Sequence, residues 1–197
     1  MDTRILDLDR SLKGLIGSIC WGVTYNRLTN LSLQFGKPRI RVIHEPVPNI
    51  SVPLPRSNIP IEEIQRRANR RQIAVEGRWA LWIYYGNWRI VRSGLCLATT
   101  SSSMRKITPA LLDLQGQRLV RADVSLKTGA SRFTFDLDTV LEVKRRDCCT
   151  TKELWLLYGV DGYERSLWSD GTFERERLNG SGNEHKENNS GAGSAGE

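Results

Sequence analysis

The chain has 197 residues, a hydrophobic share of 39% and a formal charge of +7. That length suits one domain with a tail, and no apolar run approaches the roughly 18 residues that a membrane span needs. Cys20, Cys96, Cys148 and Cys149 form no C-x-x-C pair, and with only His44 and His185 beside them a zinc site has no foothold.

Met1 is followed by no basic-then-apolar leader, so free thiols in a reducing cytoplasm are expected. Ile5, Leu8, Leu12 and Leu15 recur at the spacing of one helical face, which predicts a short opening helix that Asp2 or Thr3 caps and Gly17 ends. Strand-like alternation follows in Leu31, Leu33 and Phe35. After Gly36-Lys37-Pro38 it resumes in Ile40 and Val42, with Arg39 and Arg41 on the opposite face. Five prolines between Pro46 and Pro60 mark an extended surface loop. A second short helix is expected from Pro60 to Arg71, its glutamates at the start and its arginines at the end complementing the helix dipole.

Trp79–Tyr85, Gly86-Asn87 and Trp88–Val91 together predict a hairpin whose turn needs positive φ at Gly86. It would set Tyr85 opposite Trp88 and Ile83 opposite Ile90. Ile107, Leu111 and Leu114 then take helical spacing, and Thr108-Pro109 resembles an N-cap and first helical position, which places the start at Pro109. Strands near 119–126, 132–137, 140–144, 153–160, 163–169 and 172–177 complete the reading. Asp161-Gly162 and Asp170-Gly171 are two-residue turn signals between the last three. From Asn179 the sequence is mostly Gly, Ser, Asn, Glu and Lys; such a segment cannot bury enough surface to offset its ordering entropy. Residues 179–197 are therefore expected to be a disordered tail. Its one Lys and three Glu contribute −2, leaving about +9 on residues 1–178.

A duplication runs through this order. Leu12-x-x-Leu15-x-Gly17, Leu31-x-Leu33-x-Phe35 and Ile40-x-Val42 return as Leu111-x-x-Leu114-x-Gly116, Phe133-x-Phe135 and Leu141-x-Val143. Each set precedes an aromatic strand, Leu81–Gly86 in the first and Leu154–Gly159 in the second. Phe35 and Trp82 lie 47 positions apart, against 20 between Phe135 and Trp155, so the first copy carries an insertion of 27 residues, placed at 47–72. Two similar β-units must bury their apolar faces against each other. The expected fold is thus mainly β: two degenerate meander copies, 5–98 and 107–177, each opened by a short helix, forming a sandwich or partly open barrel within a single domain, 1–178.

The chemistry is sparse. No nucleophile elbow or Walker loop occurs, and the single G-x-G-x-x-G match, Gly191 to Gly196, falls in the tail without a strand before it. No cofactor and no catalytic set is expected. His44 reads as a surface histidine, and Asp136 and Asp138, though on one face of a strand, lack the remaining elements of a calcium loop. The functional lead is basic: Arg66, Arg67, Arg70, Arg71 and Arg78 run into Trp79, Trp82, Trp88 and Arg89. Guanidinium groups bind acidic surfaces and phosphates, and exposed rings stack unpaired bases. The competing reading makes those arginines a helix end and those tryptophans core.

The ordered motifs L-x-x-L-x-G, C-W-G-V, L-x-L-x-F-G-x-P, His44-Glu45-Pro46, L-W-I-Y-Y and F-x-F-D resemble a family of small, uncharacterised bacterial proteins across about residues 10–177. The resemblance implies fold rather than activity, and its context suggests bacterial competition or toxin neutralisation. The reading from sequence is a non-enzymatic binding domain that takes a protein partner through the 47–72 insertion and the adjacent strand. Its contacts would be Arg66, Arg67, Arg70, Arg71, Arg78, Trp79 and Arg89. The alternative is a nucleic-acid-binding protein using the Arg66–Arg92 region.

Overall fold

A computed structural model describes residues 3–26, 30–43, 72–146 and 151–178. A helix, α1 (Thr3–Lys13), opens the chain and buries Leu8 and Leu12, with Leu15 just beyond its end. Three strands follow: β1 (Cys20–Asn26), β2 (Asn30–Phe35) and β3 (Arg39–Ile43). After an interval come β4 (Gln72–Glu76), β5 (Trp79–Ile83), β6 (Asn87–Arg92) and β7 (Leu95–Thr99). The second half holds α2 (Met104–Leu114), β8 (Leu119–Val124), β9 (Ser131–Phe135), β10 (Thr139–Lys144), β11 (Glu153–Gly159), β12 (Tyr163–Trp168) and β13 (Phe173–Arg177). All the pairings are antiparallel. One sheet runs β1-β2-β5-β11-β12-β13, a second runs β7-β6-β10-β9-β8, and β3 and β4 form a separate ribbon. The fold is a β-rich sandwich, not a closed barrel.

Alternation explains the core. On β2, Leu31, Leu33 and Phe35 are buried, and on β5 Trp79, Leu81 and Ile83 lie directly across from them on the same face. On the facing sheet Phe133 and Phe135 of β9 and Leu141 and Val143 of β10 do the same. Period-two burial of this kind fixes register, because a slip by one residue would turn every apolar side chain outward. The Phe35 and Phe135 rings stack between the sheets, centroids 6.4 Å apart and planes within 12°.

Five strands of each half correspond, while β13 and the β3–β4 ribbon have no counterpart. Reading the first sheet as β1-β2-β5-β11-β12 and the second as β8-β9-β10-β6-β7 gives one order, with each half contributing three strands to one sheet and crossing to the other. The correspondence extends to single hydrogen bonds. Gly17 N–H donates to the Leu119 carbonyl at 2.7 Å, and Gly116 N–H to the Cys20 carbonyl at 2.8 Å. Cys20 N–H reaches the Gln117 carbonyl at 2.8 Å, and Leu119 N–H the Ser18 carbonyl at 3.0 Å. Ile19 and Arg118 bridge at the centre of this reciprocal set. Gly17 and Gly116 both take positive φ, 82° and 86°, where a side chain would be strained.

Several expectations change. β5 and β6 do not form a hairpin: they lie in different sheets, and Gly86 does not take the positive φ that the expected turn required. Tyr84 and Tyr85 instead continue the pairing with β11, donating to the Leu154 and Glu153 carbonyls. The chain then changes sheet at Gly86, where a Cβ would sit 2.4 Å from Val143 Cγ1. The aromatic strands β5 and β11 are also not equivalents. They are neighbours, with Trp155 across from Ile83, and the strand order makes Trp88 the counterpart of Trp155. Both of those tryptophans are buried. Ile40 and Val42 are not counterparts of Leu141 and Val143 either, because the strand that covers β2 is β5 and β3 leaves the sheet altogether. The excursion in the first half thus includes β3 and β4, which lie outside the predicted 47–72 apart from Gln72.

Helix α2 starts at Met104, five residues before the expected Pro109, with Ser103 as its N-cap residue. Burial of Ile107, Ala110, Leu111 and Leu114 along one face outweighs the single backbone donor that Pro109 removes. The Asp-Gly turns are as read: Gly162 and Gly171 have φ of 75° and 86°. Asp161 and Asp170 accept hydrogen bonds from the amides two residues on. The 60–71 helix, His44 and the tail lie outside the described residues.

Candidate functional site

The β3–β4 ribbon is rooted by backbone packing. At Gly77 a Cβ would fall 2.6 Å from the Phe35 carbonyl oxygen, so only glycine lets the ribbon close onto the end of β2. Gln34 Oε1 accepts the Gly77 amide at 2.9 Å. Register then sorts the side chains. Ile40 lies across from Val75, and Val42 across from Ile73. All four share one face, with exposures of 73%, 56%, 46% and 71% in that order. The opposite face is ionic: Glu76 takes Arg39 and Arg41, one on each carboxylate oxygen, both at 3.2 Å. Among the described residues nothing covers the apolar face.

Of the sequence-derived contact residues, the described ones, Arg78, Trp79 and Arg89, do not gather at one place. Arg66, Arg67, Arg70 and Arg71 lie outside the described residues. Arg78 is exposed at the ribbon root. Its neighbour Trp79 points into the core, with positions 14 and 159 kept as glycine where a Cβ would meet its ring at 2.6 and 2.4 Å. The buried Arg165 guanidinium lies over that ring, 5.2 Å from its centroid, and is held by Asp161 and by Ser11 Oγ at 2.8 Å. Trp79 is therefore a structural residue. Trp82 faces outward from the first sheet, edge-on to Tyr158 at 5.1 Å, beside Tyr84. Burial, then the neighbouring Glu164, pushes the Tyr158 phenol up from its ordinary range. The rings against Trp82 are thus those of Tyr84 and Tyr158.

Arg89 lies on the other sheet, in a charged row that no single stretch of sequence displays. The outward face places Arg89 of β6 across from Glu142 of β10, Glu142 across from Arg132 of β9, and Arg132 across from Asp123 of β8. Glu142 is 11% exposed at its side chain, and its oxygens accept Arg89 Nε at 2.5 Å and Arg132 Nη1 at 3.0 Å. The Arg89 hydrogen bond holds the Glu142 carboxyl below the usual carboxylate range against the opposing effect of burial. The two arginines remain half exposed. A groove of about 350 Å³ runs beside the row toward Ser125, and one of about 590 Å³ runs toward Thr99 and Arg145; Arg89, Glu142 and Lys144 line both.

Other candidate groups have structural work. Asp136 accepts the Arg118 amide at 2.9 Å, and Asp138 accepts Ser93 Oγ at 3.3 Å, so the two carboxylates serve separate turns. Cys20 is buried, which pushes its thiol up to about 12. Among the described residues there is no cluster of three or more His, Cys, Asp or Glu able to hold a metal, and no helix long and apolar enough to cross a membrane. Cys148 and Cys149 lie outside the described residues. Comparison with known families, with curated proteins and with solved structures finds no match to this chain.

Proposed function

We propose that this chain is a non-enzymatic binding domain that receives a protein partner on the apolar face of the β3–β4 ribbon. The observation that carries the reading is the exposure of Ile40, Val42, Ile73 and Val75 together on one face of a ribbon that belongs to neither main sheet. A two-stranded ribbon is marginal unless its apolar face is covered, and covering each of these side chains contributes about 1–2 kcal/mol at their present exposures. Arg39, Arg41 and Glu76 occupy the opposite face of the ribbon, so the two faces separate into one that is charged and one that is apolar and open to a partner. The ribbon also brackets residues 47–71, all but the last residue of the expected 47–72 insertion. Neutralisation of a toxin-like protein, the context that the bacterial family resemblance suggests, needs only such an occluding contact.

The test uses Ile40→Ser/Ile73→Ser, which changes exposed positions only. The unmodified chain should retain one dominant protein from a cell extract, and the double variant should lose it while keeping its thermal transition. Equal retention by both proteins removes the ribbon from the binding surface.

A further inference from the structure

We infer that the outward face of the five-stranded sheet is a binding site for the phosphate backbone of a nucleic acid, centred on Arg89, Arg132, Lys144 and Arg145. This site lies on a different sheet and uses different residues from the ribbon, so neither reading depends on the other. The central observation is the pairing around Glu142. A nearly buried carboxylate takes one hydrogen bond from each of two arginines and so fixes both guanidinium groups in place. Arg89 commits only its Nε and Arg132 only one terminal nitrogen to that carboxylate, so each still presents N–H donors toward the grooves. Preorganised donors of this kind lose less conformational freedom on binding an oxyanion than free lysines do.

The remaining lining fits the same ligand. Among the described residues, Lys144 and Arg145 have no carboxylate within ion-pair distance, and both line the larger groove. Thr99 and Ser101 at one end and Ser125 at the other add hydroxyl groups. Counting Arg89, Arg132, Lys144 and Arg145 against Glu142 and Asp123 leaves a surplus of two positive charges along the row. These cations come from three adjacent strands and the segment after β10, so they spread across the sheet, which suits an extended polyanion better than a single small anion. The one aromatic lining residue, Trp88, is buried and offers no stacking face. Recognition is therefore of the backbone without base readout, and affinity is set by counterion release.

Fluorescence anisotropy with labelled 20-nucleotide single-stranded and 20-base-pair duplex probes of mixed sequence, from about 25 to 200 mM salt, tests the site. The expected result is binding of at least one probe at low salt that falls steeply as salt rises. For Lys144→Gln/Arg145→Gln, affinity at low salt should drop about tenfold or more and the salt slope should shrink by about 1.5, as expected for two lost phosphate contacts. Both positions are exposed, so an unchanged thermal transition confirms that the variant is folded. No binding of either probe by the unmodified chain at 25 mM salt overturns the inference, and so does equal binding by the double variant. Polyglutamate of matched charge that competes as well as the unlabelled oligonucleotide would reassign the site to acidic protein.

Discussion

The stacked pair Phe35–Phe135 offers the most direct test of how the two halves meet. The rings come from corresponding positions on β2 and β9, both are essentially inaccessible, and they face each other across the sandwich. Replacing either with Leu keeps the site apolar but removes about three ring carbons and leaves a small cavity. At about 0.8 kcal/mol per buried carbon plus a cavity contribution, each single change should cost about 2–3 kcal/mol. The two costs should be alike, because the strand order gives the residues matching surroundings. Their stacking adds about 0.5–1.5 kcal/mol that either substitution alone already removes. The double variant should therefore be less destabilised than the sum of the singles by that amount. Urea unfolding, followed by tryptophan fluorescence, measures all four corners of the cycle, and the changes should appear in the midpoint at constant m. Additivity within about 0.3 kcal/mol would mean that the rings do not touch, which would refute the face-to-face arrangement of the sheets.

Two further expectations concern pH. The Arg89 hydrogen bond, against burial, holds Glu142 below the usual carboxylate range, and at Asp161 burial is outweighed by hydrogen bonds from Arg165 and the Tyr163 amide. A depressed folded-state value stabilises the fold above the unfolded value, about 4, and the gain is lost as pH falls through the folded one. Thermal midpoints of Glu142→Gln and Asp161→Asn should accordingly lie below the unmodified chain at pH 7 and converge with it toward pH 2; a gap independent of pH would contradict the ion-pair account. Glu153 is the opposite case, since burial, then Glu164 and Glu174, raise its carboxyl. Ionised Glu153 weakens the fold at neutral pH, so Glu153→Gln should raise the midpoint at pH 7 and leave it unchanged near pH 3. A lower midpoint at pH 7 would show that the carboxylate is stabilised by its neighbours.

What was legible in the sequence was local. Asp161-Gly162 and Asp170-Gly171 specify their hairpins because the turn, its positive φ and its side-chain acceptor all fall within four residues. Gly86-Asn87 carries a similar signal yet marks a change of sheet, because the deciding contact is with Val143, far along the chain. The duplication was visible as repeated spacing, but Leu81-Trp82 and Leu154-Trp155 look alike for different reasons. Trp82 lies on the outer face beside Tyr158, whereas Trp155 is core and donates to Ser131 Oγ at 2.8 Å. Period-two alternation says that a strand has one apolar face, not which sheet will cover it. Ile40-x-Val42 and Leu141-x-Val143 share the pattern, and only the second is buried.

The charged row around Glu142 shows why the site was harder to read than the fold. Its members belong to four strands, and nothing in the spacing of Arg89, Asp123, Arg132 and Glu142 along the chain brings them together. The sequence shows only Glu142 set between Leu141 and Val143; it is the structure that makes Thr139–Lys144 a strand of almost wholly buried residues. A carboxylate that deep is costly unless it is paired or neutralised, and here the cross-strand positions on both sides supply the pairing. Given the sheet order, both are arginines, and the pairing that satisfies Glu142 also holds two guanidinium groups fixed at the surface. Basic residues were therefore a sound guide to where this protein carries charge, but the informative residue among them is the acid they surround.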